Sequence, residues 1–268
     1  MTKKSNKEID KKICRIDFEI DKLRTKKKDS DYLKVEENVF DVATLKALYT
    51  LSNKGFLHSL GGSISTGKEA NLFYGIGEVE DERRPIAIKI YRITTSTFNS
   101  MEKYLLGDAR FKNIRHNKKD IIFEWTKKEY RNLLRAEKAG LRVPNPITTE
   151  RNILIMSFMG IDEVPHPLLK EVKFNNAKAQ EIFYIIIDYM RKLYKDANLV
   201  HGDLSEYNIM IDMQDISPII IDVGQSVLIE HPNANYFLQR DIKNILNFFK
   251  RYKITMTNDE LYSFITAN

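Results

Sequence analysis

The chain has 268 residues, 43% of them hydrophobic, enough to bury the core of one large domain or of two lobes, which argues against a globally disordered protein. A single cysteine, Cys14, excludes an intramolecular disulfide and suits a reducing, cytoplasmic setting. The net charge of +6 resides in residues 1–28, which hold eleven Lys or Arg against five acids; no apolar run approaches the ~20 residues of a membrane span, and the N-terminal stretch has no apolar core, so neither a span nor a secretory signal is expected.

Residues 1–38 read as a basic N-terminal arm with room for some helix. A solvated tail is the commoner meaning of such a charge run; the sharper expectation is contact with a polyanion such as RNA, although no aromatic platform interleaves the lysines. A helix is expected from Phe40 to Phe56, where Val42, Leu45, Leu48 and Leu51 recur at three-residue steps before Gly55. Three short strands follow, Leu60–Ile64, Asn71–Tyr74 and Ile86–Ile90, punctuated by Gly61-Gly62, Gly75 and Pro85.

Between the first two strands, Gly62 and Gly67-Lys68 nearly spell a P-loop, but Glu69 stands where that motif needs Ser or Thr. A P-loop lysine is followed at once by a long helix, whereas "ANLFYG" is strand-like. The segment 61–70 is therefore expected to be a turn between two strands, with the N–H groups of Ser65 to Lys68 forming an anion-binding concavity and Lys68 adding charge.

Residues 92–120 contain one glycine and little apolar periodicity, and the run from Arg110 to Lys119 carries five basic residues and no acid. A long mobile loop with at most one short helix is expected. A helix then covers Ile121–Ala139, capped by Gly140; Trp125, Glu129 and Leu133 share one face, so Glu129 points with the buried stripe and needs a cation. Lys89, among the apolar residues of "PIAIKIY", is the natural one. Beyond the helix-blocking "VPNP", Arg151 to Gly160 reads as a buried strand running into a connector. Ala177–Ala197 is an amphipathic helix, 208–212 and 218–222 are two strands across a short turn, and Tyr236–Tyr252 is a closing helix. The expected division is an N-lobe at 39–157, with the loop 92–120, and a C-lobe at 158–268, meeting at a ligand-binding cleft.

The chemistry concentrates in "HGDLSEYN", His201 to Asn208, which fits the catalytic-loop pattern H-x-D-L-x-x-x-N. Fourteen residues after Asn208 stands Asp222, in "IIIDVGQ", where kinases have Asp-Phe-Gly. Asp203 can orient a hydroxyl or accept its proton, and Asn208 and Asp222 offer the hard oxygen ligands that magnesium takes when it bridges phosphates. Asp and Asn are common in turns, but four specified types in one octet followed by an Asp-x-Gly after an apolar strand is hard to reach by accident.

On "STGKEAN" (65–71), "IAIKIY" (86–91), "EWTKKEYRNL" (124–133), "MSFMG" (156–160), "HGDLSEYN" and "IDVGQSV" (221–227), the chain closely resembles the RIO family of atypical protein kinases, in its type-one branch. The resemblance implies an α+β, two-lobed protein-kinase-like fold, with a small antiparallel sheet in the N-lobe, a mostly helical C-lobe, and no activation loop or substrate-binding helical subdomain. It implies an ATP-dependent Ser/Thr kinase or ATPase, using Mg2+ or Mn2+, that acts in the maturation of the small ribosomal subunit. By position, Ser65, Lys68 and Glu69 line the phosphate loop, Lys89 contacts phosphate and pairs with Glu129, and Met156 to Met159, including Ser157 and Met159, form the adenine hinge. Asp203 is catalytic, Asn208 and Asp222 hold metal, and Asp222 is a candidate transient phosphoryl acceptor. The basic arm and loop 92–120 would face ribosomal RNA.

Departures from ordinary protein kinases bear on substrate. No Gly-x-Gly-x-x-Gly loop is present, Gly202 replaces the Arg that pairs with an activation-loop phosphate, Ser205 stands where many have Lys, and no Ala-Pro-Glu follows Asp222. Two rivals share part of the pattern: a small-molecule phosphotransferase of the aminoglycoside or choline type, and an RNA-binding assembly factor that uses ATP as a conformational switch.

Overall fold

The computed structural model describes residues 40–93, 98–111 and 117–267. The basic arm 1–38, and much of the basic run expected to meet RNA, lie outside the described residues. The chain forms two compact units: one takes the chain up to Phe98 with Asn117–Thr126 and Pro146–Phe158, the other takes Asn99–His116, Lys127–Asn145 and Met159–Asn268.

The first unit is an antiparallel sheet with a helix on one face. Helix α1 (Val42–Asn53) starts at Asp41, whose carboxylate accepts from the Thr44 amide. The strands are β1 (Ser59–Thr66), β2 (Ala70–Val79), β3 (Glu82–Tyr91), β4 (Pro146–Glu150) and β5 (Ile153–Ser157), in the spatial order β1-β2-β3-β5-β4. Strand alternation divides β3: Ile86, Ile88 and Ile90 enter the core with Leu45, Leu48 and Leu51 of α1, which leaves Ala87 and Lys89 on the opposite face.

Two expected strands are too short here, the second ending early and the third starting late. Gly75 does not end β2, which runs to Val79 and turns into β3 through Glu80 and Asp81, both at positive φ. The glycines admit close backbone instead: a Cβ at Gly77 would lie 2.5 Å from the Phe56 carbonyl oxygen, and one at Gly75 would lie 2.8 Å from that of Ser59. Pro85 sits inside β3 because pairing with β5 begins only at Ile86, so its missing N–H interrupts no ladder on that side.

The second unit is mostly helical. Helix α2 (Phe98–Leu105) lies in the region expected to be a loop, a 3-10 turn at Ala109–Phe111 follows, and α3 (Lys118–Lys138), which the second unit takes from Lys127 onward, begins three residues before the expected start. The short helix allowed for within 92–120 is α2, and among the described residues of that segment Met101, Tyr104 and Leu105 of α2 and Phe111 of the turn are buried. Short pairs β6 (Gly160–Ile161) with β7 (Val164–Pro165) precede α4 (Asn176–Lys195). After α4 come β8 (Leu199–Val200), the hairpin of β9 (Ile209–Asp212) and β10 (Ser217–Ile220), and β11 (Val227–Leu228), which pairs back onto β8.

Helices α5 (Ala234–Phe249) and α6 (Asn258–Thr266) close the unit. Ile182, Ile186 and Leu193 of α4 share its core with Ile242 and Ile245 of α5 and with Leu261 and Ile265 of α6. The α6 helix is announced by a capping box, Thr257 with Glu260, that the sequence reading passed over. Between the 3-10 turn at Val223–Gln225 and α5 there is room only for β11 and a turn, so neither an activation loop nor a substrate-binding subdomain is present there. Among the described residues, no helix is long and apolar enough to cross a membrane.

Gly77→Ala is expected to lower unfolding stability by about 1–3 kcal/mol, because the new methyl meets backbone rather than a yielding side chain. Gly62→Ala, with open space at its Cβ, should stay within about 0.5 kcal/mol of the parent. Urea unfolding measures both, and equal costs at the two positions would contradict this packing.

Candidate functional site

His201 to Asn208 runs from the end of β8 to the start of β9, and its backbone is gripped by α5. The buried Asp241 carboxylate accepts from the Gly202 and Leu204 amides, both at 2.8 Å. Arg240 donates to the Gly202 carbonyl, and Asn244 donates to that of Leu204 at 3.1 Å. Four backbone groups flanking Asp203 are thus fixed by three side chains of one helix. Burial pushes the Asp241 carboxyl up to about 7, against the pull of the two amides.

Gly202 has a φ of +79°, and a Cβ there would lie 3.0 Å from the Gln225 carbonyl oxygen. His201 is buried, and burial lowers its pKa to about 4, so the ring is neutral at pH 7. Its Nδ1 accepts from the Asp203 amide at 3.3 Å and its Nε2–H donates to the Ile221 carbonyl at 3.2 Å. The histidine of the motif therefore ties two loops together.

Asp203 is half-buried. Its Oδ2 accepts from Asn208 Nδ2 at 3.3 Å and from Gln225 Nε2 at 3.2 Å, and Arg240 Nη2 lies 4.0 Å from its Oδ1. Burial raises its pKa, Arg240 opposes the rise, and the nearby Asp222 adds to it. Asn208 Nδ2 also donates to the Asp203 backbone carbonyl at 2.8 Å. With two acceptors on that side the amide orientation is fixed, and the Asn208 Oδ1 is the atom offered to a ligand.

Asn208 and Asp222 come together through the backbone: the Ile221 amide donates to the Asn208 carbonyl at 3.0 Å. Asp222 follows β10, is exposed, and takes the left-handed conformation, φ 59° and ψ 58°. For a residue other than glycine this costs on the order of 1 kcal/mol and persists where the surroundings dictate it. The donor set of Asn208 and Asp222 is all oxygen and small, which fits magnesium, since that ion keeps waters and phosphate oxygens in its shell. Among the described residues no group of three or more His, Cys, Asp or Glu is placed to form a protein-only metal cage.

The remaining predicted residues divide between the units. In the first, the expected turn over 61–70 is corrected to Gly67–Glu69, because β1 runs through Thr66: Ser65 is exposed near the end of β1, paired with Leu72, and Lys68 is exposed in the turn. Within it the Gly67 amide donates to the Ala70 carbonyl at 2.9 Å, so that N–H serves the turn. The Glu69 carbonyl accepts from the Arg92 amide at 2.9 Å. Lys89 pairs in register with Leu72 and Leu154, and its Nζ lies 5.2 Å from the Tyr91 ring centroid. Ser157 ends β5 opposite Ile86. In the second unit, Glu129 is buried on α3, as its place in the stripe required, and the Met159 carbonyl accepts from the His166 amide at 3.0 Å.

The sequence reading missed the residues that hold these loops: Asp241, Arg240, Lys128 and Asn132. Lys128 and Asn132 of α3 are fully buried. Lys128 Nζ donates to the carbonyls of Gly224, at 2.8 Å, and Ser226, while Asn132 Nδ2 donates to those of Val223 and Ser226, at 2.8 and 3.0 Å. Burial and the neighbouring Arg110 guanidinium bring Lys128 down to about 7. Arg110, counted in the basic run, is committed elsewhere: it forks onto Asp108, at 2.6 Å, and reaches Asn132 Oδ1 at 2.9 Å. The available signal was a polar side chain on an apolar face, Lys128 and Asn132 following Trp125 by three and seven residues, and Asp241 midway between Phe237 and Ile245.

Comparison with known proteins identifies the family. The RIO domain model matches residues 71–261. The RIO-type serine/threonine-protein kinase Rio1 of Haloferax volcanii is 44% identical over 264 residues, covering 98% of this chain and 88% of that one. Human serine/threonine-protein kinase RIO1 is 37% identical over 254 residues, and the match covers 91% of this chain but 44% of the human one. Among solved structures, the Rio2 kinase of Chaetomium thermophilum, described as an ADP/Mg2+-phosphoaspartate complex, superposes with a TM-score of 0.61 at 24% identity, covering 84% of this chain and 67% of that one; it bears on the fold alone. The chain therefore belongs to the RIO family of serine/threonine-protein kinases.

Proposed function

We propose that the chain binds ATP with magnesium and passes the γ-phosphoryl group either to a serine or threonine hydroxyl or, through hydrolysis, to water. The observation that carries this reading is the locked pair Asp203 and Asn208, with one carboxylate held for a hydroxyl and one amide oxygen turned toward a ligand. Asp203 orients the attacking hydroxyl and accepts its proton as the bond to phosphorus forms. Asn208 and Asp222 would hold the magnesium ion, which when bound neutralises phosphate charge. Lys89 steadies a phosphate, with Glu129 as its partner; Ser65, Lys68 and Glu69 cover the phosphates. The hinge at Ser157 and Met159 receives adenine, beside the bond that the His166 amide donates to the Met159 carbonyl.

One observation favours hydrolysis over transfer to a protein. The chain passes from the turn at Val223–Gln225 through β11 to α5 without the platform on which a peptide substrate would lie. Asp222 is then a candidate acceptor: a carboxylate oxygen bonds to the γ-phosphorus, the bond to the β–γ bridging oxygen breaks, and ADP leaves. Water afterwards attacks that phosphorus, and the carboxylate departs with inorganic phosphate as product. The resemblance to the type-one branch of the family and the charge of the basic arm support a role on the small ribosomal subunit, with residues 1–28 contacting its RNA.

Asp203→Asn is expected to lower turnover by about 10²–10⁴-fold while magnesium-ATP still binds. Undiminished turnover would remove Asp203 from the chemistry. Incubation with γ-labelled ATP and mapping of the label separates the two outcomes: an alkali-labile acyl phosphate at Asp222 supports hydrolysis, and an acid-stable label on serine supports transfer. Deleting residues 1–28 should weaken binding to ribosomal RNA at low salt and leave nucleotide affinity unchanged. RNA binding unaffected by the deletion would end the proposed role of the arm.

A further inference from the structure

The backbone is left-handed at Asp222, and the segment after it carries carbonyl groups that its own 3-10 turn cannot satisfy. The Val223 carbonyl accepts from the Ser226 amide at 3.1 Å, and that single bond closes the turn. Gly224 and Ser226 direct theirs away from it, into buried surroundings where an unpaired carbonyl is costly. Lys128 meets both, and Asn132, one helical turn later, meets Val223 and Ser226. Apolar side chains of similar volume would also exclude water there. They would not fix the direction of a carbonyl, because apolar packing is not directional.

We infer that Lys128 is a positioning residue for the reaction: by holding the Gly224 and Ser226 carbonyls it keeps Asp222 in its left-handed conformation and aims the carboxylate at the magnesium-nucleotide. Asn132 is its second grip, and Arg110 orients Asn132 through the bond to its Oδ1, which leaves the Nδ2 for the carbonyls. Asp108 holds Arg110 in turn. The charged groups facing Lys128 are Arg110 and Asp108 from the segment before α3 and Glu129 from α3 itself. This inference rests on the role given to Asp222 above. It adds that α3 enforces that role from behind the loop.

Lys128→Met in the full-length protein tests it, since methionine fills the volume without donors. The expected result is a fall in kcat of about 10²-fold, the scale set by a misplacement of about 1 Å, with a half-saturating magnesium concentration raised about tenfold. Nucleotide affinity measured without magnesium should stay within about twofold. Hydrogen exchange in the nucleotide-free protein should quicken at residues 223–226 and not across β9. A folded Lys128→Met with parental kcat and magnesium dependence overturns the inference.

Should Lys128→Met not fold, Asn132→Leu decides on the same readouts. A magnesium-nucleotide complex of the unaltered protein in which Lys128 Nζ has left both carbonyls overturns it whatever the variants do. Asp222→Asn separates the levels. If it is fully active, the role of Asp222 itself fails; if it is inactive while Lys128→Met is normal, only the positioning claim fails.

Discussion

A buried carboxylate with two backbone amides for partners is an expensive way to hold a loop, and Asp241 does this on both sides of Asp203. Its cost shows in the raised pKa, since withdrawal from water penalises the charge more than the two amides return. The gain is orientation. Two N–H groups separated by one residue must point at the same side chain, so the intervening Asp203 is turned the other way. Arg240 and Asn244 complete the hold by taking the carbonyls of the same stretch, and helix α5 thereby reads both polarities of a three-residue backbone.

The second loop is handled with the opposite charge. Where α5 offers an acid to amides, α3 offers an ammonium and an amide to carbonyls. Each helix otherwise presents an apolar stripe to its own surroundings, so each polar grip is embedded in packing that excludes water and strengthens it. His201 joins the two loops, because its neutral ring bonds to the Asp203 amide on one side and the Ile221 carbonyl on the other. The geometry of the two candidate loops is thus set by residues that lie behind them.

Much of this was legible in the sequence and some was not, for reasons that differ by element. Helices α1, α3, α4 and α5 announce themselves through long apolar periodicity, and the octet around Asp203 through residue type and spacing. Strand β4 escapes because it carries the polar run Thr148 to Glu150 and begins at a proline. The place of helix α2 within 92–120, and the turn at Ala109–Phe111, escape because eight and three residues are too few for a period to stand out from a charged background. The burial of Glu129 could be read from its stripe, yet the same stripe held Lys128 and Asn132 unnoticed. A polar residue on an apolar face signals that a partner exists without saying which, and the partners here are backbone groups almost a hundred residues away.

Gly202 closes off a route of descent. Ordinary protein kinases carry an arginine beside the catalytic aspartate that answers to a phosphate on a distant segment, and a single codon change could install one here. The backbone at φ +79° disfavours any side chain, and the first carbon added would press on the Gln225 carbonyl oxygen, within the loop that Lys128 and Asn132 hold. An arginine at this place would disturb the aspartate before it could ever be instructed by a phosphate. Control by phosphorylation, if a lineage of this protein were to acquire it, would have to be built at another position altogether.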